Sequence, residues 1–243
     1  MEPRLRWLVA FAVGVAALAA LVLLASGLGA RAGLWSSRAG FSMLRWAAFL
    51  AIFGAVLSVV ALVLARVTGG GGSAILAGAL VVAVAVFLVP WSQAQQARRV
   101  PWIHDVTTDT ADPPAFVAVL PLRAGAPNPA DYGGPEVAAA QARAYPDVVP
   151  LHLATTPPAA AFPRALAAAR DLGWTIVAAE PAEGRIEATA TTRWFGFKDD
   201  IVVRIRPEGA GSRIDVRSLS RVGKSDLGMN ARRIRDYLAR LRS

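Results

Sequence analysis

Three long stretches without a charged side chain dominate roughly the first ninety residues of this chain. They cover about residues 7–30, 46–65 and 74–91, and Ser58 is the one polar side chain deep inside them. A helix of about 20 apolar residues is long enough to cross the hydrocarbon core of a bilayer. The pattern therefore predicts three transmembrane helices within residues 1–97, in contact with membrane lipids.

The first stretch follows Arg4 and Arg6, as the apolar part of a secretory signal peptide would. Such a peptide has an apolar part of about 7–15 residues and small residues before its cleavage site. Here the run is longer and Leu28 stands where a small residue is required, so we expect a retained helix. Transporters and pumps usually carry ionisable groups inside their spans. Their absence here favours anchoring and packing against partner helices.

Charges beside the spans differ between the two sides of the membrane. Five arginines flank the side that carries the C-terminal half, and three flank the other side. The five are Arg31, Arg38, Arg45, Arg98 and Arg99, and the three are Arg4, Arg6 and Arg66. Counted alone, this excess predicts an outer domain in the cytoplasm.

The residues after the third span change in character at about position 155. Residues 98–154 are rich in Pro, Asp and Gly without a sustained period, which predicts an extended belt with one helical turn near Pro135–Arg143. Residues 155–243 contain a helix that begins at Thr156-Pro-Pro and a last helix from about Asp226. Between them lie four predicted strands, at 174–179, 185–193, 200–207 and 213–220, and the second and third alternate with a period of two. The apolar stripe of the last helix is Leu227, Ile234, Leu238 and Leu241. This α-β-β-β-β-α order predicts an α+β domain with an antiparallel four-stranded sheet and two helices on one face.

Several spaced motifs in this region resemble one family. They are Thr-Arg-Trp-Phe-Gly-Phe-Lys-Asp-Asp from 192, the stretch 215–230, Ile-His-Asp at 103–105 and Tyr-Pro-Asp at 145–147. Together they are similar to the domain-of-unknown-function family numbered 1499, over about residues 100–243. The resemblance implies no established activity. It does imply export of the domain, against the charge count, and we therefore expect a periplasmic domain on an inner-membrane anchor.

One loop could bind an anion. Gly223-Lys224-Ser225 ends like a phosphate-binding loop, but Ser218 stands where that pattern requires glycine, so we expect no nucleotide. Backbone N–H groups at the start of the last helix still favour an anion or a lipid head group. The candidate residues are Ser220, Arg221, Lys224 and Ser225. The alternative is a structural turn in which Asp226 caps the helix.

The predicted strands also carry a row of arginines on the face away from the two helices. The row consists of Arg193, Arg204, Arg206, Arg213 and Arg217. We expect a basic surface there, either solvated and ion-paired or facing an anionic partner. Aromatic residues are too sparse on this face for a nucleic-acid stacking platform.

No catalytic constellation emerges from the sequence. The chain has no cysteine, which excludes disulfides, thiolate catalysis and cysteine-ligated metals. His104, Asp105, Asp109 and Asp112 are close in sequence, but their spacing is typical of turns. We expect no metal and no cofactor. Our first hypothesis is a membrane-anchored accessory or scaffold protein whose outer domain binds a partner protein or envelope component. The second is a module that binds anionic small molecules or lipid head groups. An enzyme of unknown class ranks last.

Overall fold

The computed structural model describes residues 3–242, which form two compact units. The first unit extends to Gln96 and includes the short segment Arg193–Gly196. The second unit comprises Ala97–Thr192 and the chain from Phe197 onward.

The helices of the first unit confirm the prediction of three candidate membrane spans. They are α1 (Pro3–Arg31), α2 (Ser37–Val67) and α3 (Ser73–Arg99). Helix α3 does not end near residue 91 but continues through Pro90, because membrane helices tolerate an internal proline. Its last turns, from Ser92 onward, are polar.

Small residues form the contact between the helices of the first unit. Ala12 and Ala19 of α1 and Ala47 and Ala51 of α2 have no exposed surface. A methyl group on Gly54 would lie 3.3 Å from the Cγ1 atom of Val15, so the backbones approach closely there. Small residues at such contacts leave the large apolar side chains pointing outward, as a lipid environment requires.

The second unit contains an antiparallel sheet and confirms the predicted α+β class. Its strands are β1 (Asp105–Thr107), β2 (Leu151–Leu153), β3 (Thr175–Glu180), β4 (Arg185–Thr191), β5 (Lys198–Glu208) and β6 (Gly211–Ser220). The order is β1-β6-β5-β4-β3, and β2 pairs with β6 beside β1. Four strands were predicted; the two additional short strands come from the belt. They cover an edge of β6 that would otherwise present unpaired backbone groups.

Three α-helices and two short 3-10 helices, Pro121–Arg123 and Pro181–Glu183, belong to the second unit within residues 3–242. The α-helices are α4 (Gly134–Ala144), α5 (Pro158–Asp171) and α6 (Met229–Arg242). Helices α5 and α6 pack on one face of the sheet, where Trp174 stacks on Tyr237 with ring centroids 4.9 Å apart. Helix α6 begins at Met229 rather than Asp226, and Leu227, with a φ of 56°, lies outside it. The rest of the predicted stripe is buried.

The opposite face of the sheet is covered by residues 109–130 of the belt, whereas Tyr145, Val148 and Leu151 near the end of the belt pack in the core with α5 and α6. Val202 of β5 and Leu219 of β6 point to this side and pack against Phe116 and Val119 of the belt. Both faces of the central strands are therefore buried, which explains why Val202 and Val203 are both inaccessible although they are adjacent.

Candidate functional site

The belt-facing side of the sheet carries ionisable side chains with almost no exposure. They are Glu187, Asp200, Asp215 and Arg217, which are 0, 0, 0 and 3% exposed. A charge removed from water is costly unless it is paired and hydrogen-bonded. The contacts of these groups therefore decide whether they form a reactive site or hold the belt in place.

Arg217 pairs with Asp105 of strand β1 through two hydrogen bonds. Its Nε atom donates to one carboxylate oxygen at 3.0 Å, and one of its terminal nitrogens donates to the other at 2.7 Å. The guanidinium lies over the rings of Phe116 and Tyr132, at 4.9 and 5.5 Å from the ring centroids. Burial and the charge of Asp105 raise the pKa of Tyr132 to about 12, and Arg217 partly offsets this. The pair joins the belt to the centre of β6.

Asp200 accepts hydrogen bonds from three side chains. Arg123 of the belt donates at 2.6 Å, Arg221 donates to both carboxylate oxygens at 2.9 and 2.8 Å, and the Thr189 hydroxyl donates at 2.7 Å. Burial alone would raise the pKa of Asp200, but the hydrogen bonds from Arg221, Thr189 and Arg123 hold it below its ordinary value of 3.8. Asp200 is therefore a fixed anion and is unsuited to act as a general acid near neutral pH.

Glu187 binds the belt through the backbone. Its carboxylate accepts the N–H groups of Val117, Ala118 and Val119 at 2.9 to 3.1 Å. On its other side it forms an ion pair with Arg185. Three consecutive N–H groups directed at one carboxylate fix the conformation of the belt at this point. We call residues 117–122 the belt turn.

A fourth group of ionised side chains lies further along the same face. It consists of Asp109, Asp112 and Asp215 with Arg204, Arg206 and Arg213. The hydrogen bond from Arg206, assisted by Arg204, lowers the pKa of Asp112. Asp215 is fully buried among the arginines, whereas Arg206 is partly exposed. This cluster fastens the first part of the belt to the ends of β5 and β6.

The predicted basic surface is thus mostly an internal ion-pair network. Arg204, Arg206 and Arg213 take part in it with partial exposure. Arg217 was expected at the surface, and this was wrong, because the belt covers it. Arg193 is exposed and lies in the segment that belongs to the first unit.

The four residues of the predicted anion loop lie near the start of α6, and most have protein partners. Ser220 is buried and accepts a hydrogen bond from Asn230 at 3.0 Å. Arg221 is bound to Asp200. Ser225 donates to the Pro101 carbonyl at 3.3 Å, and Lys224 is exposed.

The N–H groups at the start of α6 are occupied by Asp226. Its two carboxylate oxygens accept from Gly228 at 2.9 Å and from Asn230 at 2.6 Å. Burial raises the pKa of Asp226 despite these hydrogen bonds. This arrangement is the structural turn capped by Asp226, which was the alternative to the predicted anion site.

The acidic residues considered for a cation are each bound elsewhere. Asp105, Asp109 and Asp112 pair with arginines, and His152 contacts Glu208 at 2.5 Å. Within residues 3–242 no group of three His, Asp or Glu side chains could hold a metal ion.

Two shallow grooves lie beside helix α6. The larger of two grooves beside α6, about 420 Å³, is lined by Leu172, Asp236, Ala239 and Arg240. The smaller, about 170 Å³, adds Trp174 and Met229. Neither lining contains a serine, threonine or histidine that could serve as a nucleophile or base.

Sequence reasoning missed the residues that receive the belt. Glu187 and Asp200 sit at outward positions of alternating strands, a pattern shared by any solvated face. Gln141 of α4 also escaped notice; its amide exchanges two hydrogen bonds with the backbone of Thr107, at 2.9 and 2.6 Å. One signal was present in β5 and β6, where Arg204 and Asp215 each stand between a valine and an isoleucine.

One comparison identifies the outer region. A family model described as "Protein of unknown function (DUF1499)" matches residues 105–241, which is more than half of the chain. The match confirms the resemblance found in the sequence motifs. A search of curated proteins gave no match.

Proposed function

The chain belongs to the DUF1499 family, and we propose that it is a membrane-anchored accessory or scaffold protein whose outer domain binds a partner protein. One observation carries this proposal: the belt turn presents Val117, Leu120 and Leu122 to solvent, with exposures of 53, 45 and 53%. Three exposed apolar side chains within six residues form a surface of the kind that marks protein interaction sites.

The belt turn is suited to binding because charged side chains of the sheet fix its conformation. Glu187 binds its first three backbone N–H groups, and Arg123, directly after it, is anchored to Asp200. Residues 113–130 contain no ionisable side chain besides the buried Arg123. A pre-ordered apolar surface loses little conformational entropy on binding. These features support recognition of a partner protein over catalysis.

Capture of the partner from native membranes tests this proposal. We expect full-length protein purified in mild detergent to carry stable additional subunits, and a Leu120→Glu/Leu122→Glu variant to lose them. Ala210→Glu, in the exposed turn between β5 and β6, is the matched control and should retain them. Purification of the wild-type chain alone, or with the same subunits after the double substitution, would contradict the proposal.

We further propose that the anchor lies in an inner membrane with the outer domain on the periplasmic side. The export that the motif resemblance implies supports this side, and the arginine count opposes it. Because the chain has no cysteine, a single introduced cysteine reports the side directly. In spheroplasts, we expect a membrane-impermeant maleimide to label Ala210→Cys. Gly71→Cys lies in the connector on the opposite side of the bilayer and should be labelled only after the spheroplasts are lysed. Labelling of Gly71→Cys but not of Ala210→Cys in intact spheroplasts would place the domain in the cytoplasm.

A further inference from the structure

One end of the sheet lies next to residues 101–103, which follow α3 in the chain. There, the Asp226 N–H donates to the Ile103 carbonyl at 3.3 Å, and the Arg221 N–H donates to the Lys198 carbonyl at 3.0 Å. These bonds bring together the start of the belt, the start of β5 and the loop before α6. We call the exposed residues at this end the proximal edge: Trp102, Lys198, Val222 and Lys224.

The proximal edge combines exposed apolar and basic side chains. Trp102 is 73% exposed and Val222 37% exposed. Lys198 and Lys224 are also exposed, and they are the chain's two lysines. The neighbouring acidic groups are already neutralised, since Asp199 pairs with Arg233 and Asp200 with Arg221. The edge therefore presents positive charge beside an indole ring.

The chain itself keeps Trp102 near the membrane. Helix α3 ends at Arg99, and two residues separate it from Trp102. Three residue steps span at most about 11 Å. The polar last turns of α3, from Ser92 to Arg99, add about 12 Å beyond the apolar stretch, which is more than the roughly 5–8 Å of one head-group layer. The three residue steps after Arg99 are long enough to return Trp102 to that layer.

We infer that the proximal edge binds the lipid surface of the membrane that the three helices span. Indole rings favour the head-group level, because one side is apolar and the other can donate a hydrogen bond. Lysine stems lie along apolar surface while their ammonium groups reach anionic head groups. The inference is separate from the proposed partner surface, because it uses different residues and needs no second protein.

A fluorescent label at Val222 tests the inference in the full chain. Val222→Cys labelled with a polarity-sensitive fluorophore is placed in nanodiscs of phosphatidylcholine, with or without phosphatidylglycerol, that contain a head-group spin-labelled lipid as quencher. The control label is Ala210→Cys, at the far end of β5, eleven residues or about 35 Å away. We expect several-fold stronger quenching at position 222 than at position 210, increased by phosphatidylglycerol.

Two further variants separate the contributions of charge and ring. In the Val222→Cys background, Lys198→Glu/Lys224→Glu should abolish the effect of phosphatidylglycerol, and Trp102→Ala should weaken quenching with either lipid. Equal quenching at positions 222 and 210 in purified nanodiscs would overturn the inference. So would a label at 222 that is shielded from aqueous iodide in native membranes but not quenched in nanodiscs, because that result would assign the edge to a protein partner.

Discussion

Replacing Arg217 with alanine is expected to lower the free energy of unfolding of the outer domain by roughly 3–5 kcal/mol. The substitution leaves the Asp105 carboxylate charged and without its partner, although its side chain is 5% exposed. It also removes the cation that lies over Phe116 and Tyr132. Hydrogen exchange on the full-length protein in nanodiscs measures the change through the amides of β1 and β6.

The chain supplies a control with the same chemistry in a different environment. Arg235 forms a bidentate pair with Asp147, at 2.6 and 2.7 Å, and lies over the ring of Tyr145. Because both partners are well exposed, at 41 and 58%, Arg235→Ala should cost no more than about 1 kcal/mol. Equal losses for the two substitutions would show that burial does not determine the strength of these pairs. Replacing Asp105 and Arg217 together with Leu and Met should cost less than Arg217→Ala, since no charge is left unpaired.

Replacing Glu187 with glutamine is expected to release the belt turn. The neutral amide cannot accept all three N–H groups of residues 117–119, and its own NH₂ group faces these donors. Hydrogen bonds to a charged group contribute about 1.5–3 kcal/mol to stability, so we expect the free energy of unfolding of the outer domain to fall by this amount. Faster hydrogen exchange and proteolysis confined to the belt turn would report it.

Glu183→Gln is the matched control for Glu187→Gln. Glu183 also pairs with Arg185, at 2.9 Å, but its side chain is 61% exposed. Removing the charge of Glu183 should change the free energy of unfolding by less than about 1 kcal/mol. If Glu187→Gln leaves exchange in residues 117–122 unchanged, the carboxylate does not hold the belt turn. If the turn is released, capture of the proposed partner should weaken as well, because Val117, Leu120 and Leu122 then lose their fixed arrangement.

The sequence alone determined the parts of this protein that depend on local patterns. Uncharged stretches about as long as a bilayer requires predicted the three candidate membrane helices, and strand patterns in 174–220, with clear alternation in two of them, predicted β3 to β6. Spaced motifs identified the DUF1499 family. Each of these signals is carried by residues that are neighbours along the chain or along one element.

The tertiary structure decided what covers the second face of the sheet. Alternation distinguishes the two faces of a strand, but it cannot tell a solvated face from one that a distant segment covers. Arg217 therefore seemed to be a surface residue, whereas its partner Asp105 lies 112 positions earlier and reaches it through strand β1. Residues 113–130 of the belt have no period of their own, and their contacts with Glu187, Asp200 and Arg217 fix their conformation. Only the tertiary structure shows that the belt covers this face, because contacts between distant segments leave no local pattern in the sequence.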